Sequence, residues 1–346
     1  MKFVAIPSAL ALAVVAAAAA HAETTTTDFY GSIRLGLDNA DAGVPNDGLQ
    51  GRDYASRIGV KASTDLGNGL TGVGVVEYGL VDDEGVTLNQ KGQATLRLGY
   101  VGLKGAFGEV YYGSQTTLWH KYVRGPYFSD ANDSVRLGTT RKDDLTQYYY
   151  NGENFSVGVS MRTEGQDGDD IDDYSVGGQY NFGPAKVALA YVKDESGDNT
   201  GEMYGARVWY DVTDAFALSA YYHQASKDMD AYGNFSGNVV VTGNDGGRGV
   251  TSCTGSNVAD QGIYAGYKFG SNMVHGRVAL DSCSGDIDGD TYSYKVEYVR
   301  FLAKNYRVWA SYEALDMDDT RVATSAAGNE FSSTMSETQL GVRYDF

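Results

Sequence analysis

Beyond its first two dozen residues the chain repeats one pattern: segments of about ten residues in which apolar side chains alternate with polar ones, separated by gaps that are alternately very short and longer. A strand built this way has one greasy side and one wet side, because successive side chains leave the backbone in opposite directions. The last segment shows the pattern cleanly, with Leu340, Val342, Tyr344 and Phe346 on one face and Gln339, Gly341, Arg343 and Asp345 on the other. Near the start, Phe29, Ile33, Leu35 and Leu37 oppose Tyr30, Ser32 and Arg34, and farther on Tyr292, Tyr294, Val296 and Tyr298 oppose Ser293, Lys295 and Glu297. Arginine and lysine keep falling on the polar face, which is where water has to be.

The short gaps read as tight turns: Leu66–Gly69, Gly105–Gly108, Asn151–Asn154, Gly183–Pro184, Thr213–Asp214, Gly270–Asn272 and Ala303–Asn305. The longer gaps run from Asn39 to Gly51, Asp82 to Gly92, Thr116 to about Thr140, Glu164 to Ile171, Glu195 to Gly201, Lys227 to Val258, Cys283 to Asp290 and Met317 to Thr334. Together they delimit sixteen strands, all-β, with both ends of the chain on the short-turn side. That is the arrangement of an antiparallel transmembrane β-barrel with short periplasmic turns and long external loops, wide enough to keep an aqueous lumen. Pro45, Pro126 and Pro184 all fall in gaps, as a continuous hydrogen-bonded wall requires. A soluble β-sandwich or β-helix would also alternate, but it would bury its aromatic residues and could not accept so many charges on the opposite face. Tyr111–Tyr112, Tyr148–Tyr150 and Tyr221–Tyr222 stand near strand ends and read as girdles at the two membrane interfaces.

The N-terminus has the form of a cleaved signal peptide: Lys2, an apolar run from Ala9 to Ala20, and Ala20-His21-Ala22 as the cleavage site. Residues 1–22 are therefore expected to leave, and 23–346 to form the barrel. A net charge of −18 argues against a nucleic-acid partner, which needs a basic face. Cys253 and Cys283 fall in successive external loops, where an oxidising export route permits a disulfide. The acidic runs at Asp167–Asp173 and Asp286–Asp290 invite a calcium reading, but the loop glycine that such a site demands is Thr291, and Glu297 sits within a strand; solvated loop acids fit better. Catalysis finds no support either: His21 leaves with the signal, His120 is on the third loop, and His223 and His275 stand apart near strand ends, as polar interface residues do. No phosphate-cradling loop, paired metal ligands or dinucleotide fingerprint occurs, so no cofactor and no metal are expected.

Several stretches resemble the Gram-negative general porins: Phe29-Tyr30-Gly31 opening the first strand, Ser56–Lys61 leading into Leu66–Leu70, Val76-Glu77-Tyr78, Arg97–Lys104 with its turn, and the aromatic terminus Tyr344-Asp345-Phe346. The likeness runs from Asp28 to Phe346 and implies a homotrimer of sixteen-stranded barrels in the outer membrane, each with its third external loop folded inward as a constriction. It implies that Arg34, Arg57 and Arg97, on the lumen side of strands one, two and four, form a basic wall, with Arg141 a fourth member and Arg136 its alternative. The acidic side would come from Asp130 and Asp133 in Pro126–Asp133, although the glutamate usual after the proline is Tyr127 here. Asp82, Asp83 and Glu84 occupy the slot of the loop that latches a neighbouring subunit. Tyr344 and Phe346 correspond to the signal read by the outer-membrane insertion machinery, and outer-membrane lipid and lipopolysaccharide are the surrounding partners. The function expected is a passive pore for ions and small hydrophilic solutes. Because acidic groups outnumber basic ones, it is expected to prefer cations weakly. A substrate-selective channel shares these features, although inward Trp209 and Trp309 are few for a sugar path, and an outer-membrane hydrolase is the remote alternative.

Overall fold

Strand pairing in the computed structural model runs all the way round and closes. The first strand, β1 (Thr25–Asp41), bonds antiparallel on one side to the last, β17 (Thr334–Asp345), and on the other to β2 (Gly48–Asp53) and β3 (Arg57–Gly67). These two are halves of one wall strand, interrupted at Tyr54–Ser56 where Ala55 takes a positive φ of 65°. The wall therefore has sixteen strands, and its continuity leaves no open sheet edge. It continues through β4 (Leu70–Gly79), β5 (Thr95–Gly105), β6 (Gly108–Thr116), β7 (Arg141–Asn151), β8 (Phe155–Arg162) and β9 (Asp173–Phe182). The second half comprises β10 (Ala185–Asp194), β11 (Gly201–Asp211), β12 (Phe216–Ala225), β13 (Ser256–Phe269), β14 (Asn272–Gly285), β15 (Gly289–Ala303) and β16 (Tyr306–Met317). The structure describes residues 24–41, 43, 48–80, 94–124, 127–129, 137–163, 171–195, 200–229, 253, 255–322 and 332–346. The expected signal segment, Asp82, Asp83 and Glu84, and Asp130, Asp133 and Arg136 lie outside them.

All seven short turns fall where the sequence places them. Two of the longer gaps are shorter than expected, since β1 and β2 extend into the first, and β14 and β15 approach within three residues of each other. Cys283 consequently belongs to β14 rather than to a loop. The register keeps the two faces apart: Leu35 faces Val342 and Leu37 faces Leu340 on the outside, while Arg34 faces Arg343 on the inside. Among the described residues no helix is long and apolar enough to cross a membrane; the strands do the crossing.

The girdle reading of the tyrosine runs needs correction. Neighbouring residues in a strand point to opposite sides, so in each run only alternate rings face lipid: Tyr112, Tyr150 and Tyr222 are exposed outside, whereas Tyr149 and Tyr221 are buried inside and Tyr111 packs beside Tyr149. The interior also holds Tyr54 against Trp309, ring centroids 5.4 Å apart and edge to face. Room for that pair comes from Gly36 and Gly341, whose missing side chains would collide with the two rings.

The stretch leaving β6 does not rise away from the barrel. Its π-helical turn, His120–Arg124, lies against the inner faces of β9, β10 and β11. Leu118, Trp119, Tyr122, Val123 and Leu137 join Ala188, Ala190 and Val192 of β10, Met203 of β11, Ala225 of β12 and Val258 of β13 in a dry cluster inside the wall. Met229, Cys253 and Cys283 cover it from above. That sector of the interior is therefore packed like a protein core.

Candidate functional site: the charged lumen wall

Buried ion pairs occur around much of the inner wall, Arg162 with Asp173 and Lys295 with Glu313 among them, but a group of arginines gathers in one place away from the dry cluster. An internal cavity of about 610 Å³ is lined by Arg34 of β1, Arg57 of β3, Arg97 and Leu98 of β5, Arg141 of β7 and Arg343 of β17, with Glu77, Asp345, His120 and Phe128. Inward parity puts these arginines on the lumen face; β1 pairs directly with β3 and β17, and β5 and β7 follow with one strand between each. The four expected wall arginines thus meet in one place.

Each is held. Arg97 Nε lies 3.0 Å from Glu77 Oε1, and Arg57 Nε lies 4.0 Å from the other carboxylate oxygen. Arg34 is buried and donates through Nε to Ser32 Oγ at 2.9 Å, while its backbone amide donates to Ser56 Oγ at 2.8 Å. Arg343 and Arg307 flank Asp345 at 2.8 Å and 3.3 Å. Five arginines against two carboxylates, Glu77 and Asp345, leave the described lining at +3. The sequence reading named the arginines but gave no role to Glu77, Arg343 or Asp345, although all three sit at the inward parity of their strands. Lys121 adds a further cation, its ammonium 3.4 Å from the Tyr149 ring centroid. Desolvation by the surrounding protein pushes that group down to about 8, with Glu109 opposing. Raising the pH through this value should therefore remove a positive charge from the lumen and move the zero-current potential toward cations; the movement should vanish in Lys121→Gln.

Across the lumen, the described part of the third loop meets the opposite wall. Tyr127 stacks on Tyr264 at 4.7 Å and on Trp209 at 6.3 Å, donor and acceptor roles being open in its 2.9 Å contact with Ser219 Oγ. Phe128 stacks on His275 at 5.0 Å. The expectation that His223 and His275 are interface residues is overturned: both are buried inside, His223 Nδ1 3.1 Å from Asp260 Oδ2 and His275 Nε2 2.8 Å from Glu297 Oε1. Both stand at the odd, inward parity of their strands, a signal that nearness to a strand end obscured.

Cys253 and Cys283 are disulfide-bonded with Cα atoms 5.6 Å apart. Asp281 lies close enough to complete a metal-ligand trio with them, but the sulfurs are joined to each other and Asp281 accepts from Arg321 Nη2 at 2.8 Å. At the seam of the barrel, the Phe346 amide donates to Gly31 O and the Gly31 amide to Phe346 O, so the terminal aromatic residue is stitched to the first strand with its ring near Phe29.

A closed sixteen-stranded wall with a wetted, arginine-lined interior narrows the possibilities to a channel, and comparison with known proteins settles the class. The model of the Gram-negative porin family matches residues 9–320. The chain belongs to that family. A monosaccharide porin of a Halomonas species is 26% identical over 345 residues, covering 80% of this porin and 92% of the relative, and the major outer membrane protein of Halomonas elongata matches to the same extent. Among solved structures, an anion-selective porin from Comamonas acidovorans superposes with a TM-score of 0.69 at 17% identity, covering 93% of this porin and all of that chain. OmpF of Salmonella typhi gives 0.65 at 18% identity, covering 92% of this porin and 97% of that chain. The porin is an outer-membrane pore for the diffusion of solutes, a channel and not an enzyme.

Proposed function

We propose that this porin is a passive, general pore for ions and small hydrophilic solutes, in which the third loop narrows the lumen opposite the wall of Arg34, Arg57, Arg97 and Arg141. The single observation that carries the reading is the cavity in which those four arginines converge while Tyr127 and Phe128 occupy the facing side. Fixed charge across a narrow wetted zone sets up a transverse field that orients dipolar solutes. We assign Asp130 and Asp133 to its acidic side.

We infer a weak preference for anions. Whole-chain charge, from which a cation preference follows, counts residues far from the path; a permeating ion responds to the groups lining the narrowest water. Those described sum to +3, and adding Asp130 and Asp133 leaves five arginines against four carboxylates, still +1. Zero-current potentials across a planar bilayer in a potassium chloride gradient test this: a chloride bias is expected, and a potassium bias rejects it. Three equal closing steps in the same recordings are expected of a homotrimer, with outer-membrane lipid and lipopolysaccharide around it. Tyr344 and Phe346 are the residues we assign to recognition by the insertion machinery. The sugar-selective alternative has less behind it, since Trp209 is engaged by Tyr127 and Tyr264, and Trp309 by Tyr54. The name of the Halomonas relative still makes a monosaccharide the first neutral solute to try.

A further inference from the structure

The two cysteines are joined in a place that nothing can reach. Cys283 occupies an inward position of β14, and both it and Cys253 are buried in the dry cluster with Met203, Ala225, Met229 and Val258. At the next inward position Asp281 holds the fully buried Arg321, which arrives from the segment between β16 and β17. Thiol–disulfide exchange needs a third sulfur to attack the bonded pair, so its rate depends on access. The closed barrel gives none.

Everything that brings the two sulfurs together is nevertheless local to one hairpin. Strands β13 and β14 pair in register from Phe269–Asn272 beside the turn to Ser256–Gly285 at the far end, and Cys283 stands opposite Val258. There the Ser256 amide donates to Cys253 O at 3.0 Å, and the Ile287 amide donates to Ser256 Oγ at 2.7 Å. Gly255 and Gly285 take positive φ values of 73° and 151°, and a side chain on either would strike the facing strand end, at Asp286 and at the Gly255 carbonyl respectively. All of these contacts lie within residues 253–287. Hairpins form in roughly microseconds and protein thiols oxidise in seconds or longer, so even a marginally stable hairpin is visited many times before exchange occurs.

We infer that the Cys253–Cys283 bond is made on this hairpin while the chain crosses the periplasm, before the barrel closes, by exchange with a disulfide-bearing oxidant. One cysteine thiolate attacks the oxidant's disulfide, forming a mixed disulfide and releasing the first oxidant thiolate. The second cysteine then attacks the porin sulfur of that mixed disulfide, closing the Cys253–Cys283 bond and releasing the other. The porin loses two electrons and two protons, and the oxidant leaves as a dithiol. Residues 253–283 therefore enter the membrane as a covalent ring.

The test is pulse-labelling of cells that make the full-length chain, with free thiols blocked by N-ethylmaleimide at intervals. Unboiled, non-reducing gels separate closed barrels from unfolded chain. The bond should appear first in unfolded chain; closed barrels that carry two blocked cysteines before any oxidised chain is seen would overturn the inference. The purified native porin supplies a second readout. Because attack needs access, dithiothreitol should reduce the bond about a hundredfold more slowly in the folded barrel than in the urea-unfolded chain. Equal rates, or mature barrels with both thiols free, would overturn it as well.

Discussion

Replacing Arg57 and Arg141 together by glutamate should reverse the ion preference of this porin. The two positions are chosen because both side chains are only partly buried, so a charge of either sign there keeps contact with lumen water and no large desolvation cost falls on the wall. Each substitution changes the local sum by two, taking the described lining from +3 to −1. Charges this close to a permeating ion, in a space that holds little screening electrolyte, act far more strongly than the same charges on the surface. The zero-current potential in a salt gradient should therefore change sign, not merely shrink. Arg97 is a poor choice for the same experiment: its removal would strand the buried Glu77 carboxylate 3.0 Å away and confuse selectivity with wall stability. An unchanged potential in the double variant would place the selective zone elsewhere along the path.

Trp119→Ala should widen the pore. This indole is completely buried, donates to Leu137 O at 2.8 Å, lies 5.0 Å from the His223 ring and fills the space left by Gly205, a position where any side chain would strike it. Truncating so large a buried aromatic removes about 3–5 kcal/mol of packing. Here the loss falls on the attachment of the loop to β10 and β11, because the ladder hydrogen bonds of the wall do not involve the indole. Larger single-channel conductance and faster swelling of liposomes in larger sugars are expected, with the barrel still resistant to heat and detergent. If conductance and size cut-off both stay at wild-type values, the dry cluster has no part in setting the bore.

The barrel was legible in the chain because its physics repeats. Every strand carries the same inward and outward alternation, six of the seven short turns carry Gly, Asn or Pro, Thr213–Asp214 being the exception, and sixteen copies of a weak signal make a strong one. The wall arginines were legible for the same reason, since inward parity puts Arg34, Arg57 and Arg97 on the lumen face. What parity also contained, and what went unread, was the inward placing of Tyr111, Tyr149, Tyr221, His223 and His275. Those side chains look like interface residues from composition and from nearness to strand ends; only strict counting along the strand puts them inside. The partners of His223 and His275 were beyond any local rule. Asp260 and Glu297 lie thirty-seven and twenty-two residues away in the chain, and nothing short of the cross-strand register pairs them. The packing of Leu118–Val123 on β10 and β11 is likewise a contact between a loop and a remote part of the wall, with no periodicity to announce it.

The lopsided filling of the interior has a mechanical consequence. A thin-walled tube embedded in a bilayer is squeezed from the side by the lipid around it, and an empty one would tend to flatten toward an oval. In this porin the sector from β9 to β14 is braced from within by tightly packed side chains, while the arc from β17 round through β1 to β5 is crossed by the arginine–carboxylate struts of the cavity. Compression would thus be taken up on the softer arc, the one that ions must pass.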